Sequence, residues 1–159
     1  MNLQEEVLMP RDRETVFAAL NDIDILKASI PGCEELTRVE DDQLAAKIVV
    51  KFGPVKASFI SKVTLDATGG PGRFVLSGTG DAGSVGSAKG GAEVTLTEQG
   101  EQTLLSYEVK IDVVGKLAQL GSRLMEGTTK KLAKNFFANF EKELLSDTDS
   151  PEDAQPTPA

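Results

Sequence analysis

The chain of 159 residues contains no histidine and no tryptophan, one cysteine (Cys33) and one tyrosine (Tyr107). Without histidine there can be no Ser-His-Asp triad, no Cys-His pair, no common zinc site and no proton shuttle of the usual kind near neutral pH. A lone cysteine excludes an internal disulfide and a cysteine metal cluster, and it fits a reducing compartment. As a nucleophile Cys33 would need a base or a cationic neighbour, and Glu34 and Glu35 carry the wrong sign, so it reads as structural. No apolar run approaches the roughly 18 residues of a membrane span, and MNLQEEVLMP lacks the basic-then-apolar order of a signal peptide. The expectation is a cytoplasmic protein without metal or cofactor. Carboxylate pairs such as Asp22/Asp24, Asp41/Asp42 and Asp147/Asp149 read as caps, turns or tail rather than as catalytic groups.

What is present is ordinary globular composition, 40% hydrophobic and 26% charged, in a length that suits one well-cored domain. That domain is expected over residues 1–145. Residues 146–159, SDTDSPEDAQPTPA, have no apolar side chain beyond alanine and read as a disordered acidic tail. The net charge of −8 argues against nucleic acid, which needs a basic field. Against that background Lys116, Arg123, Lys130 and Lys134 fall on one side of the last helical segment. They read either as a solvated face or as a docking strip for an acidic partner or lipid surface.

Along the chain, Leu3, Val7 and Met9 mark a first strand that Pro10 ends. Two short helices follow, with Val16, Phe17 and Leu20 and then Ile23, Leu26 and Ile30 inward, and Pro31-Gly32 turns the chain. From residue 35 to 113 the pattern is apolar–polar alternation broken by Gly53-Pro54, Gly69-Gly70-Pro71-Gly72 and Gln99-Gly100. Alternation means one buried and one wet face, so about six further strands form an antiparallel meander. The motif GTGDAG at 78–83 matches a dinucleotide fingerprint, but a glycine-rich strand pattern follows where a helix would be needed. Those glycines are expected to let strands bend sharply over bulky neighbours.

Residues 115–145 are the only long helix pattern, about 30 residues or on the order of 45 Å at helical rise. The buried face begins as Leu117, Leu120, Gly121, Leu124 and Met125 and swings by about a quarter turn to Leu132, Phe136, Phe137 and Phe140. The swing falls at Gly127-Thr128-Thr129, poor helix formers, so a bend is expected there. The first half, with its small residues, leaves room, whereas the aromatic second half fills space. The concave face of the sheet is correspondingly lean at Ala57, Ser61, Gly78 and Ala92. Tyr107 points to the same apolar side, either as a core residue with a satisfied hydroxyl or as a polar group offered to a ligand.

Three stretches carry a resemblance to a known family. DIDILKASIPGCEEL resembles D-x-x-x-L-x-x-x-I-P-G-C of the carbon monoxide dehydrogenase G-subunit family. KFGPVKASF is similar to its V-G-P-V-K-A-x-F strand turn, and GKLAQLGSRLMEGTTKKLAKNFFANF to its terminal helix. The resemblance implies a helix-grip fold of the START and pollen-allergen-like superfamily. That is an α+β architecture in which a curved antiparallel sheet of about six to seven strands wraps a long C-terminal helix, with two short helices after the first strand. It also implies a non-catalytic accessory protein of a molybdenum hydroxylase, concerned with maturation, membrane recruitment or delivery of an electron acceptor. The cavity of such folds holds a lipid, sterol, polyketide or, aptly here, an isoprenoid quinone. Carried over by position, Pro31 and Gly32 shape the cavity entrance, and Gly115, Gly121 and Arg123 belong to the lid helix. Some members continue into a hydrophobic anchor, whereas here an acidic tail follows, so peripheral contact at the inner face of the membrane is the expectation rather than insertion.

The ligand is then expected between Phe52, Phe59, Phe74, Val94 and Tyr107 on the sheet and Leu117, Leu120, Gly121, Leu124 and Met125 on the helix. The alternatives are a filled core that serves as a protein-docking module through Lys116, Arg123, Lys130 and Lys134, and a helix-grip hydrolase or cyclase.

Overall fold

The computed structural model describes residues 1–149. Strand β1 (Asn2–Met9) ends where Pro10 removes a ladder donor. Asp12 then caps helix α1 (Arg13–Leu20), its carboxylate accepting from the Thr15 amide and, at 2.6 Å, from the Thr15 hydroxyl. Those bonds hold the Asp12 carboxyl below its ordinary pKa. Asp22 repeats the device for α2 (Ile23–Ser29), accepting from the amides of Asp24 and Ile25.

Six strands follow as a meander: β2 (Cys33–Glu40), β3 (Gln43–Phe52), β4 (Val55–Asp66), β5 (Arg73–Asp81), β6 (Ser87–Gln99) and β7 (Gln102–Val114). β1 closes the far side by pairing antiparallel with β7, which gives the order β1-β7-β6-β5-β4-β3-β2 in one seven-stranded sheet. Every pairing is antiparallel, as the alternation requires. The GTGDAG glycines lie inside β5 and run into a 3-10 turn, Gly83–Val85, and then β6, so no helix opens there. Their role is close approach: a Cβ on Gly78 would stand 2.7 Å from the Lys62 carbonyl oxygen, and one on Gly90 2.4 Å from that of Lys110.

The terminal segment departs from the expected continuous helix. Residues Gly115–Leu120 form a 3-10 turn, Gly121 follows at φ 94° and ψ 150°, and the α-helix proper, α3, is Ser122–Asp149. At Gly127-Thr128-Thr129, where a bend is expected, the residues stay α-helical, and the Thr129 hydroxyl donates to the Met125 carbonyl at 2.8 Å; the interruption of the helical segment lies at Gly121. The break belongs to Gly121 because its backbone occupies a region that essentially only glycine tolerates. Lys116 therefore lies on the 3-10 turn and does not share a helix with Arg123, Lys130 and Lys134. At the other end α3 runs four residues past the expected boundary at Leu145; the rest of the expected tail, 150–159, lies outside the described residues.

The two halves of the segment pack on different things. Phe140 and Leu144, at 0% and 1% exposure, enter a large cluster with Met9, Val16, Phe74 and Leu105, and Phe136 and Phe137 pack against it. Leu117 and Met125 belong to a second cluster with Val50, Phe52, Ala57 and Phe59. Helix α2 braces α3, with the Asn139 side-chain amide donating to the Ser29 carbonyl at 3.1 Å. The backbone of α3 approaches α2 most, then β3 and β1, and makes fewer close approaches to the central strands.

Candidate functional site

Where α3 crosses the β1 edge of the sheet it leaves a cleft of about 340 Å³. Strand β1 contributes Glu5, Val7 and Met9 to it, all on the concave face because alternate residues of a strand share a side. Tyr107 comes from β7, directly opposite Glu5 in the ladder. Helix α3 supplies Lys130, Lys134, Phe137, Ala138 and Glu141, spaced by three and four so that they share a face.

Tyr107 organises the cleft. It is 4% exposed, its ring stacks on Phe137 with centroids 5.0 Å apart, and its hydroxyl donates to Glu5 Oε1 at 2.8 Å. Burial first, then the bond to Glu5 and the nearby negative charge, push the phenol well above its ordinary pKa. The hydroxyl is both satisfied and at the wall of the cleft, which joins the two roles open from the sequence.

The other expected ligand residues divide between two places. Phe52, Phe59, Leu117 and Met125 are buried together in the second cluster, with Leu120 packed against it. Phe74 and Val94 are buried in the first cluster with Tyr107. Leu124 is half-buried, and its side chain reaches within 3.3 Å of where a Cβ of Gly53 would stand, in the β3–β4 turn. Gly121 is exposed. Between the clusters the concave face carries two rows of small residues, Ala46–Ser61–Gly80 and Gly78–Gly90, before Ile111.

Pro31 and Gly32 lie at the opposite edge from the cleft, where the Val49 amide donates to the Gly32 carbonyl at 2.9 Å. A Cβ on Gly32 would stand 2.0 Å from the Val49 carbonyl oxygen, so this turn is closed onto β3. Lys130 and Lys134 line the cleft, whereas Lys116 and Arg123 are exposed away from it. Cys33 starts β2; burial raises its thiol pKa, partly opposed by the charge of Lys27, which keeps it a weak nucleophile. Glu5 was the residue that pattern reading passed over. Its signal was available: a carboxylate at an inward position between Leu3 and Val7.

A curved antiparallel sheet gripping one long C-terminal helix defines the START-type helix-grip class. The chain superimposes on a conserved protein from Geobacillus kaustophilus with a TM-score of 0.86 at 26% identity, over 92% of this chain and 96% of that one. It matches a START superfamily protein from Mycobacterium smegmatis with a TM-score of 0.70 at 12% identity, over 91% and 97% of the two chains. The Zhui aromatase/cyclase from Streptomyces sp. R1128 gives 0.70 at 11% identity, over 94% and 96%. No curated protein matches the sequence. Within this class the chain belongs to the carbon monoxide dehydrogenase G-subunit (CoxG) family, whose pattern matches residues 6–145.

Proposed function

We propose that this protein is a non-catalytic accessory protein that holds a hydrophobic small molecule, a lipid or an isoprenoid quinone, between the concave sheet and α3. It serves a molybdenum hydroxylase of the carbon monoxide dehydrogenase type in maturation, recruitment to the inner face of the membrane, or delivery of an electron acceptor. The observation that carries this reading is the cleft beside α3, lined by the apolar side chains of Val7, Met9, Phe137 and Ala138 and by Tyr107, with Glu5, Lys130, Lys134 and Glu141 as its charged groups. Its volume is at the lower end of the range for small-molecule sites, about 300–1,000 Å³.

A catalytic reading has less support, although the fold also carries a cyclase. The chain has no histidine, and the one proton-bearing pair at the cleft, Tyr107 and Glu5, holds its phenolic proton tightly. No helix among the described residues is long and apolar enough to cross a membrane, which is compatible with peripheral contact.

Mass spectrometry of the organic extract of natively purified protein tests the proposal. A stoichiometric lipid or quinone supports it and names the ligand. An empty extract together with no uptake of added quinone overturns it. In that case the docking reading takes over, which the exposure of Lys116 and Arg123 favours, since among the described residues neither is in an ion pair. Their reversal to glutamate would then weaken capture of the hydroxylase.

A further inference from the structure

An antiparallel meander sends its turns alternately to the two ends of the sheet, and here the two ends carry opposite charge. The turns β2–β3, β4–β5 and β6–β7 share one end with the start of α1, and there Glu40, Asp41, Asp42, Asp66, Glu98 and Glu101 are all exposed. The arginines of that end are engaged: Arg13 pairs with Glu98 at 3.7 Å, Arg73 pairs with Glu93, and Arg38 donates to the carbonyls of Asn21 and Asp41. The opposite end gathers the β3–β4 turn, the 3-10 turn Gly83–Val85, and the passage from β7 through Gly115–Leu120 into α3. These parts meet. Leu124 reaches within 3.3 Å of where a Cβ of Gly53 would stand, and a Cβ on Gly86 would stand 2.2 Å from the Val114 carbonyl oxygen. This end carries Lys51, Lys56, Lys116 and Arg123, all exposed and, among the described residues, none in an ion pair.

Lys51 and Lys56 stand directly opposite one another across the hairpin, a juxtaposition of like charges that costs the ladder stability and that a negative surface laid against it relieves. The carboxylates of this end do not balance the cations. Asp81 accepts from the Gly83 amide at 2.9 Å, Glu126 follows Arg123 on α3, and Asp112 faces Lys89 across the β6–β7 ladder. Glu34, on β2, is taken up by Lys47 at 3.5 Å. In a chain of net charge −8, a positive end fixes the orientation in which the molecule meets an anionic surface. Apolar side chains accompany the cations: Ile60 and Val114, 62% and 59% exposed, lie in one ladder row, joined through Asp81 and Ser87. Pro54 is exposed at the tip of the β3–β4 turn, and Leu120 is half-buried. Cations interspersed with aliphatic tips fit a lipid headgroup region, whereas the aromatic rings of this end, Phe52 and Phe59, are buried and offer no platform for a nucleobase. We infer that the end formed by the β3–β4 turn, Gly115–Leu120 and the start of α3 docks on an anionic lipid bilayer, with Lys51, Lys56, Lys116 and Arg123 meeting the headgroups. This assignment rests on the membrane-recruitment part of the reading above and names the surface that makes the contact; it is independent of what the cleft holds.

The test is co-sedimentation of the full-length protein with vesicles of phosphatidylcholine alone and with vesicles in which about one third of the lipid is phosphatidylglycerol. Each lysine or arginine held at an anionic leaflet is worth about fivefold in partition, so the anionic vesicles should bind at least about tenfold more strongly. That difference should shrink as salt is raised to about 0.5 M. Lys51→Gln with Lys56→Gln should reduce binding to the anionic vesicles by at least about tenfold. Lys131→Gln with Lys142→Gln, the same change of charge farther along α3, should leave it within about twofold. All four lysines are exposed, and a melting temperature near wild type checks that the fold is kept. Orientation is read in a Cys33→Ser background with an environment-sensitive dye. On Gln119→Cys its emission should shift to the blue with anionic vesicles, and on Glu101→Cys, at the opposite end, it should not. Equal binding to both vesicle types, full binding by the glutamine pair at 51 and 56, or a blue shift at residue 101 instead of 119 overturns the inference. If vesicles are not bound but that pair loses capture of the hydroxylase, the end is a protein-docking face and the inference falls. No vesicle binding by a protein whose organic extract holds a stoichiometric lipid or quinone removes this surface and leaves the carrier reading standing. An empty extract with intact binding to anionic vesicles does the reverse.

Discussion

The Tyr107 hydroxyl donates to the Glu5 carboxylate at 2.8 Å, joining residues 102 positions apart that face one another across the β1–β7 ladder. The bond ties the edge strand to the long strand at the wall of the cleft. It also holds a buried phenol beside a negative charge, so the phenol keeps its proton far into the alkaline range.

Tyrosinate absorbance reads this directly, since no other tyrosine or tryptophan contributes. Wild-type protein should show little tyrosinate at the ordinary phenol pKa of about 10. In Glu5→Gln the charge is gone and the hydrogen bond is weaker, so ionisation should begin at lower pH. The sign for stability follows: with the folded pKa raised, the contribution of the protonated phenol is complete below about pH 10 and is lost as pH rises through the folded value. Identical titrations in the two proteins would exclude the coupling.

Two glycines six residues apart should respond with opposite sign. Gly121 has φ 94° and nothing within 4 Å of an added Cβ, so Gly121→Ala meets no clash and costs only backbone strain, about 1–3 kcal/mol. Gly127 is inside α3, also with open space around its Cβ position, so Gly127→Ala should stabilise by about 0.5–1 kcal/mol. Urea unfolding of the two variants checks the placement of the helix start; the reverse order would return the break to residue 127.

Phe140 is 0% exposed and stacks on Phe136 at 5.7 Å. Truncation of so buried a ring, Phe140→Ala, should cost about 3–5 kcal/mol in urea unfolding. A cost near 1 kcal/mol would mean that the second half of α3 does not close the main core.

Leu124 is half-buried beside the β3–β4 turn, at the end of the segment expected to leave room. Leu124→Trp should block uptake of a long apolar ligand while the melting temperature stays close to wild type. A large loss of stability would instead mark that position as closed core.

Local pattern was enough for most of the architecture. Alternation in residues such as Leu105, Tyr107, Val109 and Ile111 fixes a half-buried strand wherever it occurs, because side chains on a pleated backbone repeat every second residue. Asp22 caps its helix as expected, and Asp12 does the same for the first helix, each through its own carboxylate. The motifs around Pro31-Gly32, Gly53-Pro54 and the terminal helix were sufficient for the family, and the match over residues 6–145 bears this out.

The helix start was less legible. Leu117 and Leu120 are spaced by three, which suits a 3-10 turn as well as an α-helix, so periodicity over six residues cannot separate the two.

The sequence by itself determined the strands, the caps, the turn positions and the family, since each depends on the chemistry of residues within a few positions of one another. Only the tertiary structure decided that Glu5 meets Tyr107 and that Lys130 and Lys134 face the same cleft. It also decided that the apolar residues of sheet and helix divide into two clusters rather than forming one wall. Those relationships join β1, β7 and α3 across more than a hundred residues, and they depend on how far α3 is held from the sheet by α2 and the edge strands. That spacing is a property of packed side chains in three dimensions, and no stretch of the chain encodes it alone.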